Sequence, residues 1–582
     1  MPLTSEMFEQ AVAHHQAGCL ESAEHLYRQI IRTCPQHADA LHLLGVAAHQ
    51  KHDHEQAVSV IRQAINVRHT YAPFHCNLGA AYAALNQFDE AIECYREAIR
   101  LDPGYADAHF NLGNAFWNQK QFEAAIACYE RALQLRPKCA EAHHKIGDSL
   151  AELGRIDSAI EALQAAITIN PNLAEPHFDL GNALKKREQH EQAAESYRRA
   201  IGCRPDYCDA HVNLGYVLDD MCRFDEAIAS YDRAIAINPE SAEAHFNRAL
   251  VHLRRGDFSR GWREYDWRWK KNSVNHAASG ATRKNDSLEG RSLLVVAEQG
   301  IGDQVMFASC LPDADEQAEI CVVECDPRLV PLFRRSFSNI HVIPAGCERA
   351  RDEAVQEPIE VEIGLASLPY WLRPSVDSFP EREKYLFADS SLLDKWRSRF
   401  GSLGAGLKVG VSWRGGQEGN VRRARSTQLD QWMPLFSLPG ARFVNLQYGD
   451  TQLELETLQQ YHGVRISDWT DSDPLYDLDD FAAKVAALDL VISVDNSTVH
   501  IAAALGRPVW TLLPFASDWR WMLDRSDAPW YPTMRLYRQQ HLGVWHEVFQ
   551  RAASDLEMKL RHAKLETQGI ALSQLNAEQH LA

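Results

Sequence analysis

No two of the thirteen cysteines stand in a CxxC pair, so neither a zinc ribbon nor a disulfide framework is signalled. They read as small apolar residues of a reducing compartment. No stretch is long and apolar enough to span a bilayer. The opening MPLTSEMFEQAVAHH lacks both the basic region and the apolar run of a secretory leader. The expectation is a cytoplasmic protein with no membrane span. Positive charge is in deficit, with 60 basic against 79 acidic side chains and a net charge of −19. A surface that acidic excludes general affinity for nucleic acid or anionic membrane. What remains, over 582 residues that are 45% hydrophobic, is a globular chain of more than one domain.

The first half repeats. Gly45, Gly79, Gly113, Gly147, Gly181 and Gly215 follow one another every 34 residues, and Ala23, Ala57, Ala91, Ala125, Ala159, Ala193 and Ala227 keep the same step. Pro35, Pro103, Pro137, Pro171, Pro205 and Pro239 do so too, with His69 standing in once. Small residues let paired helices approach and proline closes each unit. The pattern resembles the tetratricopeptide repeat, which implies an α-solenoid over residues 1–270, seven repeats and a degenerate eighth, with the first helix of each pair on a concave face.

Two polar columns run through it. His75, His109, His143, His177, His211 and His245 recur at the same step, too far apart to share an ion, and are expected to pack between helices. Asn77, Asn111, Asn213 and Asn247 lie two residues further on. Asparagine both donates and accepts, so it can grip a main chain without reading its sequence. The resembling repeats of protein O-linked N-acetylglucosamine transferases carry an asparagine ladder at that position, which implies a protein or peptide partner on the concave face. Lys145 and Asp179 interrupt the column.

GWREYDWRWKK, before residue 271, reads as a helix that closes the solenoid, and residues 271–291 as a linker. From Ser292 apolar runs of strand length alternate with helical stretches, which predicts parallel sheets in two α/β lobes, 292–395 and 396–565, with a flexible tail over 566–582. Ligands in such folds bind beyond the carboxyl ends of the strands. Three stretches fall there: VVAEQGIGDQVMF, VGVSWRGGQEGNVRRARS and VISVDNSTVHIAAALGRPVW. Turns that open helices expose unpaired amides, and Arg414, Arg422, Arg423 and Arg425 bring guanidinium groups, a combination suited to a diphosphate. FASDWRWMLDRSDAPWYPTMRLYRQ, rich in tryptophan and arginine, is expected chiefly to pack a long loop.

GIGDQV and VDNSTVHIAAALGRPV, in that order, resemble the two signature regions of the heptosyltransferase-like glycosyltransferases (glycosyltransferase family 9). The resemblance implies a GT-B fold of two Rossmann-like lobes, no metal and no cofactor beyond a nucleotide-diphosphate sugar as donor. It implies Asp303 as general base in the acceptor lobe, and Asp495, Asn496, Ser497 and His500 around the donor, with Asn-Ser standing where the family has Thr-Gly. Gly302, Trp413, Arg414, Arg422 and Arg425 complete the candidate donor site. The function so implied is transfer of a sugar to a protein or glycan carrier recruited by the repeats. The alternative is a non-catalytic tetratricopeptide scaffold with a degenerate GT-B module, favoured by the altered Asp-Asn-Ser and the short acceptor lobe.

Overall fold

The structure is a computed structural model that describes residues 2–271, 287–347, 359–415, 425–473 and 475–567. It divides into two compact units, Met1–Asp220 and Met221–Ala582. The first is a helical solenoid. After Pro2–Gln16 and Leu20–Thr33 come helix pairs such as Ala72–Ala84 with Phe88–Leu101 and Ala174–Lys186 with His190–Cys203, and the unit ends in Cys208–Asp220. The glycine column marks the tightest contact inside each pair. A Cβ on Gly79 would stand 2.7 Å from the Tyr95 ring, and one on Gly181 would stand 2.5 Å from that of Tyr197. Tyr95 and Tyr197 are buried, so neither ring can withdraw.

The histidines pack, as expected, and the structure shows how. His75, His109, His177 and His211 each place Nε2 within 2.9–3.2 Å of the carbonyl oxygen six residues earlier. A carbonyl only accepts, so Nε2 carries the proton and donates. The acceptors are His69, Pro103, Pro171 and Pro205, the residues that close the preceding repeat. A second unpredicted period sits in the turn between paired helices. His52, Asn86, Lys120 and Glu188 have φ between 59° and 66°, the left-handed region, and Gly154 occupies it in the same register. A side chain there costs about 1 kcal/mol that glycine avoids. Glu188→Gly is therefore expected to raise stability by about 0.5–1 kcal/mol, part of the gain being offset by unfolded-chain entropy, as read from the urea midpoint.

The second unit begins inside the expected solenoid, not at residue 271. Its helices Phe224–Ile237, Ala242–Arg254 and Phe258–Tyr265 and the turn Arg268–Lys271 precede two sheets. Strands β1 (Ser292–Val296), β2 (Ile320–Cys325), β3 (His341–Pro344) and β4 (Val361–Gly364) form a parallel sheet in the order β3-β2-β1-β4. β5 (Leu407–Ser412), β6 (Ala441–Asn445), β7 (Leu490–Val494), β8 (Val509–Leu513), β9 (Asp527–Ala528) and β10 (Tyr531–Arg538) form the other in the order β6-β5-β7-β8-β10-β9. Among the described residues only β9, at the edge, pairs antiparallel. β1, β7 and β8 are buried along their whole length, as strands covered on both faces must be.

The helix Ser390–Gly401 straddles the predicted lobe boundary at 395/396. Its Trp396 indole donates to Asp480 at 3.0 Å, and Lys395 pairs with the same carboxylate, which ties this helix to the second lobe. The last helix, His546–Thr567, runs into the predicted tail, and residues 568–582 lie outside the described residues.

The aromatic segment before residue 271 enters the core of the second unit. Phe258, Trp262, Tyr265 and Trp269 are buried. Trp262 packs edge-on to Trp519 and Trp530, and its indole donates to the Arg373 carbonyl at 2.9 Å. Arg268, 4% exposed, pairs with Asp266 and Glu298 and donates to Ser367. Trp519, Trp521 and Trp530 are buried too, in line with the packing role expected of their loop. The cysteines depart from expectation in part. Among the described residues no disulfide joins them, yet Cys19, Cys34, Cys203 and Cys347 are exposed.

Candidate functional site

The three strand-exit stretches converge. Gln447, buried after β6, accepts from the backbone amides of Trp413 and Arg414 and from the Ser412 hydroxyl at 2.7–3.0 Å, which fixes the chain leaving β5. Asn496 caps the helix Ser497–Ala504 by accepting from the Thr498 amide at 2.9 Å. Its Nδ2 donates to Ser412 Oγ and to the Arg414 carbonyl at 2.8 and 3.0 Å. One residue thus caps a helix and clamps the β5 exit to the β7 exit. Gly415 completes the contact, since a Cβ there would lie 2.7 Å from the Asp495 carbonyl.

From the other lobe the GIGD turn opens the helix Ile301–Phe307, which packs on Ser497–Ala504. A Cβ on Gly302 would stand 3.0 Å from His500 Cδ2 and 3.4 Å from Ser497 Cα. Between these elements lies a cavity of about 570 Å³, within the usual size of a ligand pocket. Gln299, Gly300 and Ile301, Asp326 and Arg328 come from the first lobe, and Arg414, Gln447 to Asp450, Ser497 and Thr498 from the second. The Ser497 helix presents its amino end, and Arg328 and Arg414 add guanidinium groups. Asp450 supplies a backbone oxygen to Arg414 at 3.0 Å, and Glu454 stands 3.3 Å from the same guanidinium.

Several expected donor residues stand behind this wall instead of on it. Gly302 is needed for the helix contact and its missing side chain makes room for His500. That histidine is buried, stacked on Trp521, with Nδ1 2.9 Å from the Tyr531 hydroxyl. Burial, with Arg520 adding to it, depresses its pKa to about 3, so the ring is neutral. Trp413 turns into the second lobe's core, where Nε1 donates to Glu454 at 3.3 Å. Asp495 is 3% exposed and pairs with Arg425 at 3.2 Å. Of the expected set, Arg414 and Ser497 line the cavity, Asn496 braces it, and Arg422 and Arg423 lie outside the described residues.

Asp303 enters in the first turn of its helix and is ion-paired through Oδ1 with Arg520, a partner the sequence did not suggest. Arg520 also pairs with Asp518, Asp518 with Arg425, and Arg425 with Asp495. This alternation of charge, partly buried along most of its length, joins both lobes. Burial works against the Arg520 charge, but Asp303 and Asp518 hold its pKa well above the ordinary arginine value. Burial likewise pushes the Asp518 carboxyl up, and Arg520 and Arg425 on either side pull it far below the carboxylate range. The free side of Asp303 matters more for chemistry. Oδ2 is 3.6 Å from where a Cβ on Gly300 would be, and Gly300 is part of the cavity wall.

The asparagine column is partly spent on the solenoid. Asn77 Nδ2 lies 2.8 Å from His42 Nε2, Asn111 donates to Cys76 Sγ at 3.6 Å, and Asn213 donates to Asn182 Oδ1 at 2.9 Å. Asn247 is buried. Among the described residues no group of three or more His, Cys, Asp or Glu is placed to hold a metal, and no helix is long and apolar enough to cross a membrane.

Family models agree with both halves. Models described as TPR repeat and tetratricopeptide repeat match residues 81–120, 181–221 and 223–256, and 8–73 and 112–174. One described as glycosyltransferase family 9 (heptosyltransferase) matches 469–527, the segment from the second lobe that holds β7, the Asn496 cap and Arg520. Protein FlbA of Caulobacter vibrioides is 33% identical over 325 residues, 53% of this chain and 54% of FlbA, so the match spans about half of that curated relative. Among solved structures, YrrB, titled a TPR protein with an unusual peptide-binding site, is 24% identical with a TM-score of 0.28, covering 32% of this chain and 95% of its own. PilF of Pseudomonas aeruginosa is 21% identical with a TM-score of 0.34, covering 36% and 96%. The chain is glycosyltransferase-like: tetratricopeptide repeats followed by an α/β module with a glycosyltransferase family 9 segment.

Proposed function

We propose that the protein transfers a sugar from a nucleotide-diphosphate donor to an acceptor recruited through the repeats. One observation carries the reading: the β5 exit, the amino end of the Ser497 helix and the GIGD turn of the opposite lobe line a single cavity. The diphosphate sits against the helix amides and Arg414, which neutralise the leaving group without a metal. The acceptor oxygen attacks the anomeric carbon. The bond from that carbon to the diphosphate breaks, its electron pair leaving with the nucleoside diphosphate, and the hydroxyl proton passes to Asp303. The scaffold alternative draws on the ion pairs that already occupy Asp303 and Asp495.

A melting screen with nucleoside diphosphates and their sugars, run in chelator, separates the two. The enzyme reading expects one donor class to raise the melting temperature in the absence of divalent ions. Arg414→Ala is expected to raise that donor's dissociation constant about tenfold, the worth of one charge-assisted hydrogen bond. No shift with any nucleotide leaves the scaffold.

A further inference from the structure

A second cavity, of about 430 Å³, adjoins Glu298 and Gln299, the residues just before the GIGD turn. Phe246 and Leu250, from the first helix of the last repeat, wall it with Trp269, and Glu298, Gln299 and Arg520 supply its polar side. Gln299 lines this cavity and the first one. Its amide donates to the Tyr265 hydroxyl at 3.2 Å, so it is held between the last repeat and the donor side. Gln299 therefore stands between the two spaces, four residues before Asp303, whose partner Arg520 lines the second.

We infer that this second cavity, granted the transferase reading above, receives the acceptor, and that the acceptor is the serine or threonine hydroxyl of a polypeptide. Three observations carry it. The wall is a tetratricopeptide helix, and such repeats present extended surfaces for polypeptide. The polar side offers one buried acceptor and one buried donor without a hydrogen-bond partner among the described residues, Glu298 Oε2 and Arg520 Nε. A hydroxyl or a peptide group both donates and accepts, and satisfies both. Charge points the same way. The guanidinium of Arg268 faces Asp266 and Glu298, and that of Arg520 faces Asp303 and Asp518. In the lining itself the Arg268 and Arg520 guanidinium groups meet the Glu298 and Asp518 carboxylates, so the wall carries no surplus positive charge for a phosphorylated carrier and suits a neutral hydroxyl.

The test uses the full chain, the donor identified by melting, radiolabelled in its sugar, and an extract of the source cells that is separated after reaction into protein, lipid and polysaccharide. Leu250→Trp fills the cavity from the repeat side without touching the donor side. Protein-bound label is expected to fall at least about tenfold, while the donor-induced melting shift stays at the wild-type value. Leu250→Ala, which leaves the cavity open, is expected to lose far less label than Leu250→Trp. The protein-bound label should be released by alkaline β-elimination, as a sugar on serine or threonine is. If Leu250→Trp itself lowers the melting temperature, Phe246→Trp replaces it. Unchanged labelling by a folded, cavity-filled variant overturns the inference. So does label found only in lipid or polysaccharide, or in no fraction at all although the donor binds. Absence of any donor shift is a different failure, that of the transferase reading, and removes the inference with it.

Discussion

A chain that starts at residue 287 is expected to be insoluble or molten, whereas one that starts at Met221 is expected to fold cooperatively. The shorter chain keeps β1 to β10, so a reading that ends the repeats at 270 makes it the natural catalytic fragment. What it loses is core. Phe258, Trp262, Tyr265 and Trp269 are each at most 7% exposed. At about 2–3 kcal/mol for each large buried side chain, the four together contribute roughly 10 kcal/mol, comparable with the whole net stability of a domain. Their removal uncovers Trp519, Trp530 and Phe307, and leaves the Arg373 carbonyl without the Trp262 indole. Loss of Arg268 strands the Glu298 carboxylate beside β1, at a cost of about 3–5 kcal/mol for a broken buried pair. Gly364 shows how closely that pair is fitted, since a Cβ there would lie within 2.9 Å of Trp269, Arg268 and Glu298. Thermal melting and near-ultraviolet dichroism of the two fragments decide the matter. A cooperative melt from the shorter chain would show that the last repeat is only an appendage.

The sequence was most legible where structure is local. The 34-residue step exposes the helix pairs because a glycine of the column and the side chain it admits, such as Gly79 and Tyr95 or Gly147 and Leu163, are 16 residues apart in one hairpin. The histidine bond is likewise local, at six residues. The left-handed turn went unseen because histidine, asparagine, lysine, glutamate and glycine fill it in turn, and no residue type marks the position. In the second half the strands and their exits were legible from apolar runs, and so was the order of the two signature motifs. Their division of labour was not. Gly302 and His500 are 198 positions apart and meet only when two helices cross, so each looked like part of a ligand site although they fill one another's space. Trp413 follows a strand that ends at a loop, where a side chain facing the core and one facing a ligand look alike in sequence. Arg520 was the larger omission. It sits in SDWRW with Asp518 beside it, a pattern that reads as solvated charge until burial brings both against Asp303 and Arg425.

Asp303→Asn is expected to lower the rate of sugar transfer roughly 100-fold or more, the usual worth of a positioned base. The substitution keeps size and one hydrogen-bonding oxygen but removes the basic site. Its structural cost is bounded by the geometry. Arg520 loses one of two carboxylate partners and keeps Asp518, so no guanidinium is left unpaired in the interior. A drop of a few degrees in melting temperature is expected, with donor affinity near the wild-type value because Arg414 and the Ser497 helix are untouched. Arg520→Ala is the contrasting case. It removes the shared partner of Asp303 and Asp518, leaves Asp303 without its ion pair and Asp518 with Arg425 alone, and is expected to cost about 3 kcal/mol in stability. The pair of variants separates chemistry from scaffolding. A purely structural Asp303 predicts that stability falls in both and that transfer by the asparagine variant, measured on folded protein, stays within a few-fold of wild type. A catalytic Asp303 predicts that the asparagine variant, the more stable of the two, is the one that retains donor binding and loses transfer. Near-normal transfer by Asp303→Asn removes the residue from the mechanism and returns the Asp303–Arg520 pair to the role of a clasp between the lobes.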